Sequence, residues 1–143
     1  MTRYLLDTNI LSNTLKPVPS ESLPIWLAEQ RDEDLFIASW ALAESWRGVL
    51  ELPAGRKRAE LETWFLGPKG PPRIFAGRIL FFDEMAAMVW ARIMSHGTRI
   101  GRPRGAPDMM IAAIAEANNC VVVTDNEKHF VGLNFINPIR PSS

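Results

Sequence analysis

A short apolar run that stops abruptly at an aspartate is the feature that most constrains this chain. Tyr4-Leu5-Leu6 is followed at once by the polar triplet Asp7-Thr8-Asn9. Such a pattern is typical of a buried strand that delivers a carboxylate to its C-terminal edge, and in open α/β sheets that edge is where ligands bind. The sequence therefore predicts a strand from Arg3 to Asp7 whose last residue serves a binding or catalytic site.

Strand-like and helix-like patterns alternate along the rest of the chain. Further short apolar runs predict strands at Leu35–Ala38, Arg78–Phe82, Cys120–Thr124 and Asn134–Ile136. Helical patterns separate them at residues 10–15, 22–30, 40–52, 56–66, 84–96 and 107–118. Residues 67–72, rich in Gly and Pro, predict a surface loop. Strands alternating with helices favour an α/β fold with a mostly parallel sheet of four to five strands and helices on both faces.

Capping residues mark several of these helix ends. Thr8 or Asn9 is expected to cap the first helix, Ser39 the third and Asp83 the helix from residue 84, because their side chains accept from free N–H groups of a first turn. Gly97 is expected to end that helix. Since Thr8 and Asn9 are available as caps, Asp7 is left for the site.

Composition excludes several classes of function. Acidic and basic residues balance at 16 each, so binding of a polyanion must rely on local patches rather than on bulk charge. One cysteine cannot form an internal disulfide. No apolar run has the length of a signal peptide or a membrane span, which leads us to expect a cytoplasmic protein with no membrane partner. Motifs of the P-loop, dinucleotide-binding and nucleophile-elbow kinds are absent from the sequence.

The acidic residues Asp7, Glu44, Asp108 and Asp125 each also have an ordinary structural interpretation. Asp7 and Asp125 suit turns after strands, Glu44 suits a solvated helix face, and Asp108 suits a first helical turn. If the first three converge, however, one pair at 4 Å costs about 4 kcal/mol at an effective dielectric of about 20, which a cation or a proton must offset. All-oxygen ligation suits Mg²⁺ or Mn²⁺, metals that serve phosphoryl chemistry.

The two histidines, His96 and His129, have no metal-ligand spacing to another His or Cys and are predicted to be structural.

Four motifs in order resemble the PIN domain. They are Leu5-Leu6-Asp7-Thr8-Asn9, Ala41-Leu42-Ala43-Glu44, the stretch from Gly101-Arg102-Pro103 through Asp108 to Ala113, and Val123 through Phe130. The resemblance spans essentially the whole chain and is strongest to the VapC/FitB-like toxins of bacterial type II toxin–antitoxin modules. It implies a single PIN domain over residues 1–143 with a three-layer α/β/α fold. It also implies a Mg²⁺-dependent endoribonuclease, with Mn²⁺ as an alternative metal, that a co-expressed antitoxin keeps silent.

The same resemblance implies roles for the acids. Asp7, Glu44 and Asp108 match the family's acidic positions; Asp7 and Asp108 would be direct metal ligands, and Glu44 would position the metal or water. At the fourth acidic position this chain carries Asn126, and Asp125 replaces the usual Arg. Either Asn126 acts as a neutral outer ligand or Asp125 restores the acid by a small shift. Asp125 is counted here with the catalytic acids, and Thr8, Asn9 and Asn126 as supporting residues.

A local basic surface is expected to hold the RNA. Arg99, Arg102 and Arg104 lead directly into Asp108, and Arg47 shares the helix face of Glu44. Taken singly, each is an ordinary solvated surface charge, but beside an anionic metal site they would counter phosphate repulsion.

Family resemblance further implies a homodimer and an antitoxin whose C-terminal segment lies in an apolar groove, with larger assemblies on operator DNA. Trp26, Trp46 and Trp64 are candidates to line that groove, although core packing is the alternative for each. Two other functions compete with the nuclease. One is a non-catalytic toxin-like partner acting in a DNA-binding, autoregulatory complex; the other is a metal phosphatase of an unrelated α/β type.

Overall fold

The computed structural model describes residues 2–13 and 20–139, and within them five parallel strands form one central sheet. The strands are β1 (Arg3–Leu6), β2 (Leu35–Ala38), β3 (Ile79–Leu80), β4 (Cys120–Val123) and β5 (Phe135–Ile136). They lie in the order β3-β2-β1-β4-β5. The first strand of the chain is therefore the middle strand of the sheet, with β2 on one side and β4 on the other.

Helices connect the strands and cover the sheet. They are α1 (Thr8–Asn13), α2 (Ser22–Ala28), α3 (Ser39–Leu50), α4 (Arg56–Leu66), α5 (Pro71–Ile74), α6 (Glu84–Arg99) and α7 (Ala106–Ala117). Two 3₁₀ turns, Asp32–Asp34 and Glu127–His129, precede β2 and follow β4. None of these helices combines the length and the apolar character needed to cross a membrane.

Successive residues of each central strand pack into two different apolar clusters. Leu5 and Val122 belong to the cluster built around α6 and α7, whereas Leu6 and Val123 pack with Leu23 of α2. Because neighbouring side chains of a strand point to opposite faces, the two clusters lie on opposite sides of the sheet. This arrangement confirms the predicted three-layer α/β/α architecture. α7 is the most buried helix, with residues 111–115 all in the core.

Three predicted helix ends are wrong. α1 begins at Thr8 rather than Ile10, and the predicted end at Leu15 lies outside the described residues. α3 begins at Ser39, with Ala38 as its N-cap residue and no side-chain cap, so Ser39 is not the cap. α6 continues through Gly97 to Arg99. The predicted cap of α6 is confirmed, since the Asp83 carboxylate accepts from the Ala86 N–H at 3.0 Å.

Two further predictions fail where local sequence misleads. The expected strand from Arg78 to Phe82 shrinks to Ile79–Leu80, and Phe81 is 64% exposed. The expected loop at 67–72 overlaps the one-turn helix α5, which begins at Pro71 because proline suits a first helical turn.

Candidate functional site

Asp7 lies directly after β1 and is buried, with 4% of its surface exposed. Its N–H donates to the Val123 carbonyl at 2.9 Å, which continues the pairing of β1 with β4. Its carbonyl accepts from Ile10 at 3.0 Å, and its carboxylate Oδ1 accepts from the Thr8 N–H at 2.8 Å. Asp7 thus stands at the N-terminus of α1, and the predicted cap at Thr8 or Asn9 is wrong.

The pKa of Asp7 is raised above its usual value of 3.8. Burial is the largest cause, and the negative charges of Asp108 and Glu44 raise the pKa further. Hydrogen bonds from the Thr8 N–H and the Thr124 hydroxyl act in the opposite direction. A carboxylate in this position gains from any cation that approaches it.

Thr124 follows β4 and connects the ends of the two central strands. Its hydroxyl, fully buried, donates to Asp7 Oδ2 at 2.9 Å. Thr124 Oγ1 in turn accepts from Asn9 Nδ2 at 3.2 Å and from the Asn126 N–H at 3.0 Å. Asn9 also accepts from the Asp125 N–H at 3.0 Å through its side-chain oxygen. These bonds fix the polar edge of the sheet around Asp7.

Glu44 reaches the same edge from α3. It is exposed, and its Oε1 accepts from the Thr8 hydroxyl at 2.8 Å. The α3 face that carries Glu44 therefore overlooks the end of β1, as convergence of Glu44 with Asp7 requires. Thr8 connects Glu44 to the first turn of α1.

Asp108 lies in the first turn of α7 and is partly buried. Its Oδ2 is 2.5 Å from Nδ1 of His129. His129 Nδ1 is also 2.7 Å from the Asn126 side-chain nitrogen. Positions 108 and 129 are far apart in sequence, and His129 has no metal-ligand spacing, so sequence gives no signal for this pair. The prediction that His129 is purely structural does not account for the contact.

Asp125 and Asn126, the two alternatives for the fourth acidic position, have different side-chain partners. The Asp125 carboxylate accepts from Asn137 Nδ2 at 3.1 Å, on the segment after β5. Asn126 instead shares His129 with Asp108. Asn126 is therefore connected to Asp108 through one side chain, whereas the Asp125 carboxylate contacts the segment after β5.

Acidic side chains approach each other at this edge without forming a finished coordination sphere. Among residues 2–13 and 20–139, no three His, Cys, Asp or Glu side chains are already placed to hold a metal ion. The donor set is nevertheless rich in oxygen, and Asp7 is a buried carboxylate under repulsion from Asp108 and Glu44. These groups fit a hard divalent cation in chemistry, with one Asp108 oxygen engaged by His129.

The four candidate RNA-binding arginines do not form a single group. Arg47 is exposed and pairs along α3 with Glu51, its Nε 2.6 Å from Oε1. Arg99 ends α6, and Arg102 is exposed in the segment before α7. Arg104 donates to the Val131 carbonyl at 2.7 Å and so connects that segment to the one after the second 3₁₀ turn.

The PIN-domain family model matches residues 4–134, and the chain belongs to that family. A VapC ribonuclease of Sinorhizobium fredii is 33% identical over 140 residues, covering 96% of this chain and 99% of the relative. Toxin FitB of Neisseria gonorrhoeae is 36% identical over 126 residues, covering 88% and 89%. A solved structure of FitAB bound to a DNA fragment superposes with a TM-score of 0.90 at 33% identity, covering 98% of each chain.

Proposed function

We propose that this chain is a metal-dependent endoribonuclease and the toxin of a type II toxin–antitoxin module. The observation that carries the proposal is the buried Asp7 carboxylate at the end of the central strand, facing the charges of Asp108 and Glu44. The ribonuclease and toxin names of the relatives support it, as does the FitAB complex on DNA. The module also implies an antitoxin partner, a homodimer and a cytoplasmic location.

Asp7 and Asp108 would hold Mg²⁺ or Mn²⁺, with Glu44 beside them. A bound metal of this kind supplies the positive charge that polarises a phosphodiester and acidifies water. The Thr8 N–H and the Thr124 hydroxyl hold the Asp7 carboxylate in one orientation, and the Thr8 hydroxyl does the same for Glu44. Glu44, the most exposed of the three acids, would orient a water molecule.

Cleavage by the purified chain is the direct test. Single-stranded and structured RNA are incubated with the protein and Mg²⁺ or Mn²⁺, and the expected result is cleavage that EDTA and Asp7→Ala both abolish. Asp32→Ala, an exposed acid before β2, is the matched control and retains activity. The proposal fails if both RNAs stay intact and Asp7→Ala is as toxic to cells as the parent chain.

Asp108 is tested by metal binding rather than by activity alone. Asp108→Asn removes one charge and preserves the shape of the side chain, so we expect weaker Mg²⁺ binding and lost cleavage in a folded protein. Titration calorimetry that gives the same Mg²⁺ affinity for the variant and the parent would remove Asp108 from the site.

A second function is favoured by the FitAB complex on DNA. In that case the chain acts mainly as the non-catalytic half of an autoregulatory DNA-binding complex. The isolated chain would then cut no RNA, while its complex with antitoxin would bind operator DNA. A phosphatase, by contrast, would hydrolyse small phosphomonoesters, which the nuclease leaves intact.

A further inference from the structure

A cleft of about 700 Å³ opens beside Asp108. Its walls come from α6, the segment before α7, and residues 128–133. Two contacts place its mouth at the acidic edge: His129 lines the cleft and contacts Asp108 Oδ2, and Gly105 lines it close to the same oxygen. A ligand in the cleft would therefore lie next to whatever Asp108 binds.

Positive charge is concentrated in this cleft, although the chain as a whole is neutral. Four permanent cations line it against one carboxylate, Glu116. Glu116 pairs with Arg92, so the remaining cations are Arg102, Arg104 and Lys128. In the part of the chain that the structure describes, no carboxylate forms an ion pair with any of these three. The cleft is an anion-attracting surface at the edge of an acidic site.

Apolar side chains form the rest of the lining. Ile93 is buried, Leu133 is half-buried, and Ile100 and Val131 are 50% and 53% exposed. A second hollow of about 300 Å³ shares Ile93, Glu116 and Leu133 with the cleft and extends it along α7. An inorganic anion or an acidic peptide makes little use of such a lining, whereas an unpaired nucleotide presents both a phosphate and an apolar base face.

We propose that the cleft is a subsite for one unpaired nucleotide of RNA next to the scissile phosphate. Arg102 and Lys128 contact its phosphates, and its base lies against Ile93 and Leu133. Arg104 connects two walls of the cleft through its bond to the Val131 carbonyl. The proposal rests on the proposed ribonuclease function and adds the side chains that one flanking nucleotide contacts. A base inside a duplex cannot enter the cleft.

Binding without cleavage tests this subsite. A fluorescein-labelled hexanucleotide RNA is titrated with the full chain in EDTA at about 0.1 M salt, where phosphate contacts still contribute. We expect Lys128→Glu and Arg102→Glu each to weaken binding about tenfold. Lys69→Glu makes the same change at an exposed lysine outside the cleft and is expected to leave binding within about twofold. Melting curves identify any variant that fails to fold.

Photo-cross-linking of the unmodified chain does not depend on any variant. A hexanucleotide that carries 5-bromouridine is expected to cross-link to peptides containing residues 100–105 or 128–133. Cross-links confined to other surfaces would overturn the proposal, as would equal binding of a duplex RNA. Poly-glutamate of matched charge that displaces the RNA as well as unlabelled RNA would instead identify a site for acidic protein chains and overturn it too.

Failure of this inference is distinguishable from failure of the proposed function. Specific binding in the cleft without any Mg²⁺-dependent cleavage upholds the nucleotide subsite and contradicts the nuclease. Cleavage whose KM is the same in the parent, Lys128→Glu and Lys69→Glu upholds the nuclease and contradicts the subsite.

Discussion

Asp7 combines two roles at one position of the chain. Its carbonyl oxygen and Oδ1 accept hydrogen bonds from N–H groups of the first turn of α1, while Oδ2 accepts from the Thr124 hydroxyl after β4. Helix N-termini favour negative charge, which offsets part of the cost of burying a carboxylate beside Asp108 and Glu44. A residue that caps a helix can therefore also be the candidate metal ligand.

Replacing this carboxylate by an amide tests its electrostatic cost. The raised pKa of Asp7 means that the folded chain binds a proton there more tightly than the unfolded chain does. This group therefore favours folding below its usual pKa of 3.8, and the contribution is lost as pH rises through the folded-state pKa. In EDTA, Asp7→Asn is expected to raise the free energy of unfolding at pH 7, with the gain vanishing below pH 3.8.

Chemical denaturation across that pH range measures the effect of Asp7→Asn. The control is Asp32→Asn, the same change at an exposed position, which is expected to shift stability by less than about 0.5 kcal/mol at every pH. A constant difference between the Asp7→Asn and parent curves from acid to neutral pH would contradict the raised pKa.

Thr124→Val isolates the hydroxyl that connects β1, α1 and β4. Valine keeps the shape of threonine but leaves Asp7 Oδ2 without that donor and the Asn126 N–H without that acceptor. We expect a loss of about 1–3 kcal/mol in the free energy of unfolding. Thr98→Val, at the exposed end of α6, removes a hydroxyl that donates to the Met94 carbonyl of the same helix. This change should cost less than about 0.5 kcal/mol. Equal effects of the two changes would show that the Thr124 network adds no stability.

Local sequence makes some of these residues predictable and hides others. Asp7 and Asp108 stand out because one ends an apolar run and the other enters an apolar helix. His129 is hidden because its partner, Asp108, is 21 residues away and no spacing rule connects them. The choice between Asp125 and Asn126 depends on side-chain direction after β4, which the order of residues does not encode.

At the scale of elements, α6 determines the position of the basic segment before α7. Gly97 lies inside α6, and the position requires glycine because a Cβ there would be 2.8 Å from the Arg102 carbonyl oxygen and 3.3 Å from Arg104 Cγ. The glycine thus allows the 102–104 segment to lie against α6, where it forms one wall of the cleft. The sequence predicts a helix end at Gly97, because glycine commonly ends helices. Its actual role, a close contact with the 102–104 segment, is not visible in the local sequence.

Gly97→Ala is expected to destabilise the chain despite the higher helix propensity of alanine. The new methyl group meets backbone as well as side chain, so we expect a loss of about 1–3 kcal/mol, the usual cost of overpacking. Gly48→Ala in the last turn of α3 is the control: nothing lies within 4 Å of a Cβ added there, and the change should stabilise by about 0.5–1 kcal/mol. Thermal unfolding of both variants measures the contrast, and a stabilising effect at both positions would contradict the close approach.

The bounds of an element are predictable where helix-breaking residues flank it, but not where they depend on pairing with another strand. α4 has the predicted bounds, Arg56–Leu66, because glycines flank it on both sides. β3 is shorter than its apolar run because it pairs only with β2, through two residues. The apolar residues that follow, Phe81 and Phe82, lie outside the sheet.

For the whole molecule, strand order decides which acids meet. β1 lies between β2 and β4, so the residues that follow these strands share one edge, and α3 begins directly after β2 with Glu44 on its second turn. The alternation of strands and helices predicts a parallel sheet, but it does not rank the strands. The expectation that Asp7, Glu44 and Asp108 converge therefore depends on the family resemblance. In the structure, hydrogen bonds of the residues after β1 and β4 connect the three acids.

Metal binding is expected to stabilise the whole fold, because Asp7 and Asp108 come from elements that are packed together only in the folded chain. A ligand bound solely by the folded state adds about 2.7 kcal/mol at a concentration of 100 times its Kd. The Tm should therefore rise with the logarithm of Mg²⁺ or Mn²⁺ concentration in scanning calorimetry. Asp108→Asn should lose most of this rise, whereas Asp32→Asn should retain it. A rise of the same size in Asp108→Asn would place the cation elsewhere, even if RNA cleavage were metal-dependent.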